Sequence, residues 1–273
     1  MCRVLGCVAA EPVSLRHELL DGDNPLIRQS EHHDSGWGMA VYPRGEGEEP
    51  DCTRFPEAAF GGAELSAASD KRGRIFNVHV RRATFGGLTL ENTHPFCLGC
   101  YSFGHNGTLV TYPRLLAEPG VAQPHGDTDS EAFFNVLMRD FDPARPVESL
   151  RRAVELTIDR TPFSGLNFLL CDGERLYAYR LGVFELHWLA RPGQLLVSSE
   201  RLTDERWHDV RQDVLLVCDP RDPEEPHAER LVGDAAVARA HIDDFNEGSE
   251  LRGSERGEFA ARRAAKLAAT TGT

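Results

Sequence analysis

Two helical periods lie between two groups of strand-like runs, and that order constrains the fold more than any other feature of the chain. The first group covers residues 3–9, 38–42, 74–81 and 101–110. The first helical period carries Phe133, Val136, Leu137 and Phe141; the second, over 147–160, carries Leu150, Val154 and Ile158. Apolar residues at three- and four-residue spacing share one helix face. Five more strand-like runs follow at 166–172, 175–182, 183–191, 194–200 and 213–219. Turn pairs such as Asp172-Gly173 and Pro192-Gly193 separate them. A last helix is expected over 234–245. A doubly wound parallel sheet would alternate strand with helix. Grouped strands around grouped helices instead predict an α+β layered architecture with mostly antiparallel sheets.

The remaining segments are irregular. Residues 10–35 read as loop-rich, and residues 43–70, rich in Gly, Glu, Pro and Asp, read as an insertion. One domain over 1–248 is expected, followed by a polar Ala/Arg-rich tail over 249–273, frayed or disordered. Hydrophobic residues make up 41% of the chain, enough to fill a core. The formal charge of −13 repels phosphate backbones and anionic lipid, which argues against nucleic acid or a membrane surface as a partner. No run approaches the 18 or so apolar residues of a membrane-spanning helix. The N-terminus lacks a basic region followed by a long apolar stretch, so a cytoplasmic protein is expected. The seven cysteines are odd in number and scattered, which does not suggest a disulfide framework. Cys171 and Cys218 sit in apolar runs and read as small core residues. Cys97-x-x-Cys100 is a lone pair with no second pair to complete a metal site, and no metal is expected.

Five places could carry chemistry. Cys2 follows the initiator Met1 and is small enough for that Met to be removed. A free α-amine, with a pKa near ~8, can act as general base for its own side chain; the alternative is an ordinary second residue of a core strand. Gly104-His105-Asn106-Gly107 places two glycines and an asparagine in an apolar run. An Asn amide with a neighbouring N–H can bind an oxyanion, or the pair is a simple Asn-Gly hairpin turn. Arg81 alternates with Val80 and Val78 at the end of a strand-like run. Its guanidinium fork suits a carboxylate, or it is surface charge. Thr128-Asp129-Ser130-Glu131 matches a capping box; Asp129 then either complements the helix dipole or holds a substrate ammonium. Trp37, flanked by Gly36 and Gly38, is a pocket wall or a core anchor.

Taken together, MCRVLG, DSGWGMAVY, HVRRATFG, FGHNGTL and DTDSE resemble, in order, the motifs of class II glutamine amidotransferases of the N-terminal-nucleophile hydrolase superfamily. The resemblance runs from Met1 to about Asp140. It implies a four-layer αββα sandwich, with Cys2 as nucleophile and Asn106 and Gly107 as the oxyanion hole. It implies that Arg81 binds the glutamine α-carboxylate, that Asp129 binds the α-amino group, and that Thr84 lines the same pocket. Trp37 falls in a run one residue longer than the usual Asp-Gly-Trp-Gly. In size and opening the chain is similar to stand-alone γ-glutamyl hydrolases of the ergothioneine pathway.

The implied chemistry is hydrolysis of a small-molecule γ-glutamyl amide with release of glutamate, using no cofactor. With about 50 residues after 219, a fused synthase domain is not expected. The alternatives are a glutaminase subunit that supplies ammonia to a separate synthase, or a non-catalytic glutamate- or glutamine-binding module. The long 44–70 insertion is expected to frame a mouth wider than glutamine requires.

Overall fold

The computed structural model of the protein describes residues 2–233; the expected helix over 234–245 and the tail from Ser249 lie outside the described residues. The strands are β1 (Arg3–Val13), β2 (Trp37–Tyr42), β3 (Asp51–Phe55), β4 (Gly73–Val80), β5 (Phe96–Leu98), β6 (Tyr101–Asn106), β7 (Asn167–Cys171), β8 (Leu176–Arg180), β9 (His187–Arg191), β10 (Gln194–Ser198), β11 (His208–Asp209), β12 (Val214–Asp219) and β13 (Asp222–Arg230). A π-helical turn (His17–Asp21), α1 (Leu26–Gln29) and α2 (Glu64–Ser69) interrupt the first four strands. Between β6 and β7 lie α3 (Pro113–Leu116), α4 (Asp129–Arg139) and α5 (Pro146–Arg160).

Two antiparallel sheets result. One has seven strands in the order β11-β9-β10-β1-β4-β2-β3, the other six in the order β13-β12-β8-β7-β6-β5. Period-two alternation sorts their side chains into three cores. Leu5, Met39 and Val78 face outward onto Leu19, Leu26 and Leu65 of the short helical elements. Val4, Val8, Ala40 and Ile75 face inward onto Leu169, Leu176 and Ala178 of the second sheet. Phe103, Phe168 and Tyr177 face the outer side of that second sheet and meet Phe133, Leu137, Leu150 and Val154 of α4 and α5. The layers are therefore α, β, β and α. Cys171 and Cys218 lie in the inter-sheet core, as their apolar runs indicated.

Four expectations need correction. The 43–70 stretch is not irregular throughout: it contains β3 and α2, and α2 buries Leu65 and Ala68 in the outer core. Residues 44–50 lie at the Val41 end of β2, away from Trp37, because Val41 pairs with Asp51 and Trp37 with Phe55. That part of the insertion frames no mouth near Cys2. The run over 101–110 stops being strand at Asn106. A further strand, β13, follows the last expected one; with Pro223, Pro226 and five charged residues, its sequence reads as loop. It is an edge strand, the position where proline is tolerated.

Candidate active site

The site is assembled where the start of β1, the end of β4, the end of β6 and the N-terminus of α4 meet. Arg3 pairs with Val80, so Cys2 lies at the end of β4 in the first sheet. Its backbone nitrogen donates to Asn106 Oδ1 at 3.1 Å, across to the second sheet. The Arg82 N–H points at Cys2 Sγ at 3.4 Å, and Sγ in turn lies 3.6 Å from the Arg82 carbonyl. The neighbouring residue fixes this end of the chain. Arg3 donates to the Gln29 side chain at 2.8 Å and to the Cys2 carbonyl at 3.3 Å, and it pairs with Glu200 at 2.9 Å.

Asn106 and Gly107 form the turn that closes β6. A Cβ at Gly107 would overlap the Gly165 carbonyl oxygen, so only glycine fits there. With Oδ1 held by Cys2, Asn106 Nδ2 finds no acceptor among the described residues. The turn is clamped from below. His79 Nε2 lies 3.0 Å from the His105 carbonyl, and His105 Nε2 lies 3.1 Å from the Gly165 carbonyl. Both facing atoms are carbonyls, so both nitrogens carry the hydrogen. His105 Nδ1 then accepts from Ser130 Oγ at 2.9 Å. Burial holds both imidazoles well below the usual histidine range, so they are neutral hydrogen-bonding groups near pH 7.

Helix α4 starts as its sequence predicted, with Thr128 Oγ1 accepting from the Glu131 N–H at 3.2 Å. The reciprocal half of the capping box is absent. Glu131 instead accepts from the backbone N–H groups of His125 and Gly126, at 2.8 and 2.9 Å. Asp129 Oδ2 accepts from the Leu109 N–H at 2.7 Å, tying the helix start to the segment after Gly107. Burial is the main reason the Asp129 carboxyl is raised to about 7; the hydrogen bond from Leu109 works against it, and the proximity of Cys2 adds to it.

Arg81 follows directly on β4 and is 2% exposed. Its Nη1 donates to the carbonyls of Ser35 (3.2 Å) and Gly87 (3.0 Å), and its Nη2 to those of Phe85 (2.8 Å) and Gly86 (3.4 Å). Four of the five guanidinium hydrogens thus point at backbone, three of them at residues 85–87. Burial pushes the guanidinium pKa down, while Cys2, Asp129 and Asp127 pull it back up. Thr84 is half-buried in the same loop. Asn92 ties that loop to the segment before α4: its Nδ2 donates to the Gly87 carbonyl at 3.2 Å and to Asp127 Oδ1 at 2.6 Å.

Cys2, Asn106, Gly107, Arg81 and Asp129 are therefore brought together, and Thr84 lies on the loop beside them. Trp37 is not among them. It alternates onto the outer face of its sheet, is 1% exposed, and stacks on Phe55 with ring centroids 5.3 Å apart. Of the two readings its sequence allowed, this is the core anchor. Sequence reasoning missed the Arg82 N–H, Arg3, His79 and Ser130. Ser130 stood inside a quoted motif, yet nothing in a helix start says which neighbouring strand it will dock against.

An αββα sandwich of two antiparallel sheets is the architecture of N-terminal-nucleophile hydrolases. The glutamine phosphoribosylpyrophosphate amidotransferase of B. subtilis matches it with a TM-score of 0.63 at 18% identity, over 85% of this chain and 50% of that one. The model of the class II glutamine amidotransferase family matches residues 1–193, and the chain belongs to that family. An uncharacterized protein of Methanocaldococcus jannaschii, MJ1515, is 33% identical over 203 residues, covering 70% of this chain and 54% of the relative. This chain's match thus spans about half of that archaeal protein. YafJ of Escherichia coli, provisionally named a glutamine amidotransferase, is 29% identical over 216 residues, 73% of this chain and 80% of its own.

Proposed function

We propose that the protein hydrolyses a γ-glutamyl amide, with Cys2 as an N-terminal nucleophile exposed by removal of Met1, and releases glutamate. One observation carries this reading above the others. The Cys2 nitrogen sits 3.1 Å from Asn106 Oδ1, so the base, the thiol and one oxyanion donor belong to a single hydrogen-bonded unit. The bond orients the α-amine and at the same time leaves Asn106 Nδ2 available as a donor.

The α-amine takes the thiol proton, and the Arg82 N–H steadies the thiolate. Sulfur attacks the side-chain amide carbon. Asn106 Nδ2 and the Gly107 N–H hold the oxyanion, and loss of one such donor costs ~3 kcal/mol of barrier. The ammonium at Cys2 donates its proton to the departing nitrogen. Water then attacks the thioester, returning the thiol and freeing glutamate.

Asp129 holds the substrate α-ammonium, and Arg81 holds the α-carboxylate. Because four Arg81 hydrogens point at backbone carbonyls, a carboxylate engages the fork bidentately only when residues 85–87 yield. Binding and movement of this loop are one event in this reading. Thr84 moves with it.

The second reading, a glutaminase that passes ammonia to a separate synthase, uses the same site and takes its support from the family itself. A panel of γ-glutamyl amides that includes glutamine and γ-glutamylcysteine, assayed by glutamate release, separates the two. Faster turnover of the larger amides supports hydrolysis as the end in itself. A tenfold preference for glutamine, about 1.4 kcal/mol in the transition state, supports the ammonia-supplying role. Glutamate binding with no turnover of any member leaves a binding module.

A further inference from the structure

Cys97 does not face Cys100, its neighbour in the sequence pair. Its Sγ lies 3.0 Å from Cys52 Sγ, and its other polar contact is the Pro95 carbonyl at 3.8 Å. Both cysteines are exposed. They also lie on different sheets: Cys52 is on β3, the last strand of the seven-stranded sheet, and Cys97 is on β5, the last strand of the six-stranded sheet. The two edges are held close by Arg54 Nη1, which donates to the Thr93 carbonyl at 3.1 Å, and by the Tyr42 hydroxyl, which donates to the Cys100 carbonyl at 2.9 Å.

We propose that Cys52 and Cys97 are a redox-active thiol pair that closes to an intramolecular disulfide by exchange with a low-molecular-weight disulfide, clipping the open edge of one sheet to that of the other. A disulfide needs its sulfurs at about 2.05 Å, so the two atoms must approach by about one ångström, within reach of side-chain rotation on exposed strands.

The two thiols have different parts in the exchange. The Cys97 S–H is directed at Cys52 Sγ, and this hydrogen bond, helped by Arg54, lowers the Cys52 pKa. The same interaction pushes the Cys97 thiol up. Cys52 is therefore the attacking thiolate. It displaces one small thiolate from the small disulfide and forms a mixed disulfide. Cys97 then gives up its proton, attacks Cys52 Sγ and expels the second small thiolate, which is protonated. Two protein thiols and one small disulfide become one protein disulfide and two small thiols.

The ring so closed contains β4, Arg81 and the 85–87 loop, so the clip ties down the segment that bears the candidate carboxylate site. The pairing rests only on the placement of β3 and β5 and is independent of the reaction proposed for Cys2.

The test is to incubate the full chain in graded ratios of oxidised to reduced glutathione, alkylate the remaining thiols and map the peptides. The expected product is one cross-linked pair joining Cys52 to Cys97, reversed by excess dithiol. It should be accompanied by a rise in Tm of roughly 5–10 °C, the scale for closing a loop of this length. Cys97→Ser should leave a glutathione adduct on Cys52 and no cross-link. Cys100→Ser should leave both the cross-link and the Tm rise intact. A cross-link between Cys97 and Cys100 would overturn the proposal, and so would Cys52 and Cys97 both remaining alkylatable at oxidant ratios that modify other thiols of the chain.

Discussion

Replacing Asp129 by asparagine tests whether a buried carboxyl is held at the site at a cost to the fold. The amide keeps the shape and can still accept the Leu109 N–H through its oxygen. Only the charge and the titration are lost. Burial raises the carboxyl from an ordinary 3.8 to about 7. Below about pH 4 it is protonated in folded and unfolded chains alike and contributes nothing to pH dependence. Between about pH 4 and 7 the unfolded chain has released a proton that the folded chain retains, so wild-type stability falls as pH rises. Above about pH 7 the full penalty stands: roughly three units at 1.36 kcal/mol each, about 4 kcal/mol. Evaluated at two convenient points, the Asp129→Asn variant should gain about 2–3 kcal/mol on wild type between pH 5 and pH 8. Urea unfolding of both proteins at the two pH values measures this directly, and common background titrations cancel in the difference. A stability difference that does not change with pH would refute the reasoning. On γ-glutamyl substrates the same variant should lose affinity, because the ammonium loses its counter-charge. In wild type, substrate affinity should rise as pH rises through about 7, where the free carboxyl ionises.

Arg81→Lys should lower kcat/KM about tenfold or more on substrates with an α-carboxylate, since an ammonium cannot reproduce the fork. Kinetics on an analogue lacking that carboxylate should change little, and an equal loss on both would remove Arg81 from recognition. Trp37→Ala should cost about 3–5 kcal/mol of stability in urea unfolding through loss of the stacked core contact. Its KM should stay near wild type where the protein remains folded; a large rise in KM with little loss of stability would restore Trp37 as a pocket wall.

The parts legible in the sequence were those whose signal is local. Helix α4 announced itself through Thr128 and the apolar set Phe133, Val136 and Leu137, and the buried strands through continuous apolar runs. Edge strands did not. β3, β11 and β13 bury too little to need an apolar pattern, and the prolines of β13 point the other way. At the site, spacing marked Cys2, Asn106 and Asp129 as unusual residue types in unusual places. It could not show that Asp129 reaches Leu109, that Ser130 reaches His105, or that the Arg81 fork is filled by its own loop. Those contacts join elements far apart in sequence, and only packing of the sheets sets them. Cys52 and Cys97 make the same point. The sequence offers Cys97 a partner three residues away, and the sheet edges offer one from the opposite sheet.

The central claim, that Cys2 attacks the substrate as the first residue of the processed chain, is tested most directly by covalent capture. Active protein is treated with a glutamine-like electrophile, and its intact mass and labelled peptide are read by mass spectrometry. The account predicts a chain that begins at Cys2, one label per molecule carried on that residue, and no labelling in Cys2→Ala. Full activity with Met1 retained, or labelling that persists in Cys2→Ala, would contradict it.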